Sequence, residues 1–267
     1  MTRSSEYRKS YLFRQVSRRA GKALTDHHML RDGDKVAVAV SGGKDSLAML
    51  HVLASRQAFI PVQVRLLAVV VDQGRPGFPA GELAEYIRSL GIPCHVESIT
   101  TVKDGPWDQT NCFWCSRVRR KAIFSVAQRQ GCAQVALGHH LDDIVTTILL
   151  NLFYHGTICA MKPKQELFDG KITIIRPLAY EREETLIRLH RTERWPTFDR
   201  DKCPQDATSK RKIVKQLLRQ IEGHNPDAAV NVFRSLQNIQ TAYLLDGSRI
   251  NTVPRDHAAA RDVLNAA

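Results

Sequence analysis

One string constrains this chain more than any other. Lys35–Val40 (KVAVAV) is followed at once by Ser41-Gly42-Gly43-Lys44-Asp45-Ser46 and then by LAMLHVLAS. The first run has strand character, and the last has the apolar spacing of a helix. Gly42 and Gly43 allow backbone conformations that other residues resist, and they let amide N–H groups approach a ligand closely. A helix starting near Asp45 aims its first N–H groups and the positive end of its dipole at the same place. Ser41 and Ser46 add hydroxyls, and Lys44 adds a cation. The string is therefore an anion cradle. It contains neither G-x-x-x-x-G-K-[ST] nor G-x-G-x-x-G, so it is neither a Walker loop nor a dinucleotide fingerprint.

The rest of the chain extends the alternation that this string begins. Val62–Val71 reads as a second buried strand ending at Asp72, Glu82–Leu90 as a helix and Cys94–Ile99 as a third strand. Ser116–Gln130 reads as a basic helix, Gln134–Leu137 as a strand, Asp142–Phe153 as an apolar helix and Ile172–Ile175 as a short strand. Strands alternating with helices imply βαβ units, and continuous apolar strands imply a sheet covered on both faces. The expected fold is α/β, a Rossmann-like doubly wound parallel sheet with a helical C-terminal extension. Three regions are expected: a basic, partly helical arm over 1–30, with Arg14, Arg18, Arg19 and Lys22 at helical spacing; a phosphate-loop domain over 31–180 with an inserted C-x₂-C; and a mainly helical extension over 181–267.

Charge narrows the function. Lys and Arg total 39 against 27 Asp and Glu, a net charge of +12 in 267 residues. Such a balance points to a polyanionic partner, most often nucleic acid. The longest apolar run, Leu66–Val71, has six residues, so no membrane span is expected. The N-terminal stretch carries no export signal, and the expected compartment is the cytoplasm. Cysteines there are buried, catalytic or metal-binding rather than paired in disulfides.

Gly138-His139-His140-Leu141-Asp142-Asp143 follows the Gln134–Leu137 strand and opens a helix. Gly138 permits close backbone approach. Asp142 and Asp143 suit a helix N-terminus and equally suit a Mg²⁺ bound with a phosphate ligand. Cys112-Phe113-Trp114-Cys115 is a single C-x₂-C pair, with Cys203 as its natural third partner. Three cysteines leave one position of a metal centre open to an exogenous ligand such as sulfide. A redox pair and a structural zinc completed by His are the alternatives. Cys94, Cys132 and Cys159 read as packing residues.

SGGxDS after a β-run resembles the signature of the PP-loop ATP pyrophosphatases, which cleave ATP between its α and β phosphates and transfer AMP to a substrate oxygen. The ordered set SGGKDS, VDQGRPGFP, CFWCSRVRR, GHHLDD, NLFYHG and IRPLAYERE is, more narrowly, similar to the TtcA family, the tRNA 2-thiocytidine synthetases. The resemblance covers Arg31 to Leu218 and implies ATP and tRNA as substrates, Mg²⁺ with the nucleotide, and a [4Fe–4S] cluster on Cys112, Cys115 and Cys203. It implies that Ser41–Ser46 hold the pyrophosphate part of ATP, with Lys44 neutralising charge, and that Asp45, Asp72, Gly138, His139 and Asp142 contact nucleotide or Mg²⁺. It further implies a sulfur donor such as a cysteine desulfurase, and it admits a homodimer. The expected product is 2-thiocytidine at anticodon-loop position 32. Arg200, Pro204 and Gln205 depart from the family pattern around the third cysteine. Arg117, Arg119, Arg120 and Lys121, with Lys210, Arg211, Lys212 and Lys215, suit RNA phosphates, and Phe113 and Trp114 suit base stacking. The competing classes are another PP-loop activity, such as 2-thiouridine or lysidine formation, and a non-catalytic Fe–S tRNA-binding paralogue.

Overall fold

A six-stranded sheet carries the molecule's first unit in the computed structural model, which describes residues 9–99, 112–198 and 210–244, with backbone alone at 112 and 113. The strands are β1 (Lys35–Ala39), β2 (Arg65–Asp72), β3 (Cys94–Ser98), β4 (Gln134–Ala136), β5 (Lys164–Leu167) and β6 (Ile172–Ile175). The helices are α1 (Tyr11–Asp26), α2 (Lys44–Arg56), α3 (Ala80–Ser89), α4 (Cys112–Arg129), α5 (Leu141–His155), α6 (Glu183–Glu193), α7 (Lys210–His224) and α8 (Ala228–Ser235). Among the described helices none is long and apolar enough to cross a membrane.

The strand order is β3-β2-β1-β4-β6-β5, and every pairing is parallel except β5 with β6. The period of two in a strand explains why the sheet is covered on both sides. Along β2, Leu66, Ala68 and Val70 enter one apolar cluster, with Val36 and Val38 of β1 and side chains of α1, α2, α3 and α6. Leu67, Val69 and Val71 enter the opposite cluster, with Ala37 of β1 and Ala122, Ile123, Val126 and Ala127 of α4. The doubly wound α/β expectation holds. The antiparallel edge strand β5 escaped it because KQEL alternates too weakly and too briefly to signal a strand.

Contacts divide the chain into two compact units: Met1–Ile99, Ala122–His140 and Pro163–Asp201 form one, and Thr100–Lys121, Leu141–Lys162 and Lys202–Ala267 the other. This partition differs from the one expected at residues 30 and 180. The described part of the N-terminal region, α1, is a core helix rather than an arm. Phe13, Val16 and Leu24 are 2%, 0% and 6% exposed in the first cluster, and each such side chain contributes about 1.5–3 kcal/mol of burial. Ser10 caps α1 by accepting the Phe13 N–H at 3.0 Å, an interaction of about 1 kcal/mol. In the second unit α5, α7 and α8 pack through Leu141, Val145, Leu149, Leu150, Val214, Leu218 and Ala229.

Candidate active site

β1 leads to β2 and β3 on one side of the sheet, while its other neighbour, β4, is reached only later in the chain. This reversal is the switch point of an open α/β sheet, where ligands bind beyond the carboxyl ends of the strands. SGGKDS follows β1 and Gly138–His140 follows β4, so both strings flank the switch point.

The loop is shaped by its own side chains. Gly42 has φ +83°, a conformation that costs other L-residues roughly 1–2 kcal/mol. Gly43 is the N-cap of α2 and offers no side chain to its first amides, which leaves the positive end of the helix for an incoming anion. The Ser46 hydroxyl is already used. It donates to the Gly43 carbonyl at 2.9 Å, accepts the Ser41 N–H at 3.2 Å, and lies 3.3 Å from Ser41 Oγ. The Ser46 hydroxyl thus braces the loop from within, while Ser41 is exposed. Gly138 is needed for space: a Cβ there would meet the Asp45 carbonyl and the Ser46 amide nitrogen at 3.2 Å.

The charges form a small network. Lys44 Nζ lies 3.0 Å from Asp45 Oδ2 and 3.4 Å from Glu183 Oε1 at the start of α6. Burial works to lower the Lys44 pKa, but the two carboxylates outweigh it and hold the ammonium above its ordinary value. Asp45 Oδ2 is also 4.0 Å from Nε2 of the buried His140. His139 Nδ1 accepts from Nε of the buried Arg176 at 3.4 Å, which places the neutral ring's proton on Nε2. Asp72, at the end of β2, accepts the Gly74 N–H at 2.9 Å. Glu183 and Arg176 went unrecognised as site residues. Both lie within IRPLAYERE, a string noticed only for its resemblance.

In the second unit, Asp142 is buried in the first turn of α5, and its carbonyl accepts from Thr146 Oγ1 at 2.6 Å. Asp143 Oδ1 pairs with Arg211 Nη2 of α7 at 2.7 Å. Cys112 and Cys115 lie in the first turn of α4, not before it as expected. Positions three apart share one side of a helix, and first-turn amides favour thiolates. The Cys115 side chain is half-buried. Cys203 lies outside the described residues, as do Arg200, Pro204 and Gln205; among the described residues there is no cluster of three metal-ligating side chains. Cys132 is buried, and burial pushes its thiol and that of Cys94 up. On α4, Arg117 and Lys121 are exposed, Arg119 is half-buried, and Arg120 folds back onto Ser116 Oγ at 3.2 Å.

Fold and loop together define a PP-loop protein, and the model of the PP-loop domain matches residues 12–221. The chain is 41% identical over 245 residues to a tRNA-cytidine(32) 2-sulfurtransferase of Polynucleobacter asymbioticus, covering 90% of this chain and 81% of that one. It is 40% identical over 252 residues to the protein of that name from Nitrosospira multiformis, covering 93% and 85%. In structure it is similar to the U34-tRNA thiolase NcsA from Methanococcus maripaludis with its [4Fe-4S] cluster, at a TM-score of 0.70 and 23% identity over 85% of this chain and 78% of that one. The chain belongs to the tRNA-cytidine(32) 2-sulfurtransferase family.

Proposed function

We infer that this chain is an ATP-dependent tRNA sulfurtransferase that replaces the C2 oxygen of a cytidine in tRNA with sulfur, at position 32 as in the relatives' names. The observation that carries the reading is the uncapped start of α2 behind SGGKDS, set at the switch point against Gly138. A urea-like oxygen is a poor leaving group. Attack of that oxygen on the α-phosphorus of ATP releases pyrophosphate and leaves C2 bearing an AMP ester. Hydrosulfide-level sulfur then bonds to C2, the C2–O bond breaks, AMP leaves and one proton is released. Ser41–Ser46 orient the phosphates, and Lys44 exchanges carboxylate partners for the pyrophosphate charge that develops. Asp45, Asp72 and Asp142 are candidates for Mg²⁺ or nucleotide contact, and Gly138 and His139 are candidates for nucleotide contact.

Cys112 and Cys115, with Cys203, are the residues that would hold a [4Fe–4S] cluster. Such a cluster, when bound, supplies an iron position able to present sulfur. The donor fits the class of cysteine desulfurases, whose persulfide sulfur reaches the hydrosulfide level by two-electron reduction with a second, external thiol, which leaves as disulfide. Action in the cytoplasm and assembly as a homodimer complete the proposal, the latter tested by mass in solution. The function is tested by incubating the anaerobically reconstituted protein with ATP, sulfide and unmodified tRNA. One AMP per 2-thiocytidine is expected by nucleoside mass spectrometry. Thiolation without AMP release, or 2-thiouridine as the product, overturns the reading. Asp45→Ala is expected to abolish AMP release with the iron content unchanged.

A further inference from the structure

We propose that the outward side of α1 is a surface for the sugar–phosphate backbone of tRNA, with Arg14 and Arg18 as its phosphate contacts. The proposal rests on the function inferred above for the identity of the RNA. Tyr11, Arg14, Arg18 and Lys22 recur at steps of three and four, so they share one side of the helix. All four are exposed, while Phe13, Val16 and Ala20 on the other side are buried in the core. Tyr11, at 67% exposed, leaves an aromatic ring in solvent beside the cations. A ring so placed can stack on a base.

Stability does not account for this row. Arg14 with Arg18, and Arg18 with Lys22, are like-charged pairs at a spacing of four, which weaken a helix. Arg14 also stands near the positive end of the helix dipole, and the first turn of α1 holds no acid to offset it. The acids nearby are engaged elsewhere. Asp26 accepts from Lys22 at 2.7 Å, Glu193 accepts the Ser10 N–H at 3.1 Å, and the buried Glu181 lies 3.5 Å from Arg19. Arg14 and Arg18 have no side-chain partner among the described residues. The contacts at Glu193 and Glu181 lay that stretch of chain antiparallel beside α1, and its helix α6 exposes two further cations, Arg188 and Arg191.

The spacing suits a row of phosphates. Four helical positions rise about 6 Å, a step comparable to that between neighbouring phosphates of one strand. The narrow major groove of an RNA stem denies a helix its base edges, so contact along α1 goes to the backbone and positions the RNA without selecting its sequence. The row also lies close to the phosphate loop. Glu181, against Arg19, precedes Glu183, against Lys44, by two residues, a span of at most about 7 Å. An RNA held along α1 is thereby brought to the loop where ATP is expected.

The test uses the full-length chain and an unmodified tRNA transcript, with filter binding between 50 and 200 mM salt. Arg14→Glu/Arg18→Glu is expected to weaken binding and to lower the log–log salt slope by roughly 1.8, two contacts at about 0.9 each. Arg14→Gln/Arg18→Gln is expected to lose a similar slope, and Arg14→Lys/Arg18→Lys to keep it. Melting temperature and affinity for α,β-methylene-ATP are expected to stay at wild-type values in all three. The control is Arg31→Glu/Arg65→Glu, the same change of net charge at exposed positions by the amino ends of β1 and β2, the far end of the sheet from the loop. It is expected to leave the slope unchanged. A wild-type slope in both the Glu and the Gln variants overturns the surface and leaves the inferred function standing. So does an equal loss in the control, because net charge rather than this side of α1 would then set the affinity. A wild type that binds no tRNA overturns the function and the surface together.

Discussion

Glu181 is a buried carboxyl of the first unit. Its side chain is 0% exposed, whereas the Arg19 guanidinium 3.5 Å away is 57% exposed. Burial pushes its carboxyl up to about 7 from an ordinary 4.5, against the smaller opposing pull of Arg19. The raised folded-state pKa means that the associated stabilisation is complete below about 4.5 and lost as pH rises through about 7. Its size is on the order of 3 kcal/mol. Wild-type thermal stability is therefore expected to decline from pH 5 to pH 8, and Glu181→Gln is expected to flatten that decline and raise the midpoint at pH 8. Parallel curves for the two proteins count against a buried carboxyl at this position. Gly138→Ala acts differently, because its new Cβ presses on the main chain of the cradle at 3.2 Å. Weaker nucleotide binding by roughly tenfold, about 1.4 kcal/mol, is expected with little change in melting temperature. The residues legible in sequence are those whose partners are close in the chain, as in SGGKDS and GHHLDD. Glu183 meets Lys44 across 139 positions, and no periodicity or spacing carries that information.

Among the elements, β1, β2, α2 and α5 were readable because burial on all sides writes long apolar runs. β5 and α1 were less so. The arginines and Lys22 of α1 dominate its appearance, but they occupy only the outward side, and three large apolar side chains decide where the helix lies. α4 shows the opposite problem: a uniformly basic segment whose cations are unequal. Arg120 is half-buried and held at about 10 by burial and by Arg119, whereas Arg117 and Lys121 face solvent. Reversing Arg117 and Lys121 is expected to reduce the salt dependence of tRNA binding by roughly 0.7–0.9 in log–log slope per lost phosphate contact. Reversing Arg120 is expected to lower thermal stability instead. Filter binding between 50 and 200 mM salt, beside thermal melts, separates the two; an unchanged slope in the first variant places that side of α4 away from RNA.

At the scale of the molecule, each compact unit is built from three stretches of chain. A cut at residue 180, natural from the sequence, removes α6 from the first unit, and with it Leu186 and Leu189, both 0% exposed. The fragment ending there is expected to be unfolded by circular dichroism and to bind no nucleotide. The cysteines are expected to separate by function in the intact chain. Cys203→Ala and Cys115→Ala should lose iron and thiolation while still binding an ATP analogue, and Cys132→Ala should keep all three. Full iron content in Cys203→Ala removes it from the ligand set.

The sheet ends in polar strands on both sides. β5 alternates Lys164, Gln165 and Glu166 along one margin, and on β3 at the other Glu97 bonds His95 at 3.0 Å and Arg129 at 2.7 Å. Among the described residues neither margin has a further strand beside it; such a margin is a template on which a foreign strand can add, and charge along it makes each such addition unfavourable. A protein whose interior strands are this apolar must be made and kept at working concentration without polymerising through its own backbone. Replacing Glu166 and Lys164 by valine is accordingly expected to leave the enzyme's chemistry alone and shorten its shelf life, through growth of sheet-rich aggregates that bind amyloid dyes.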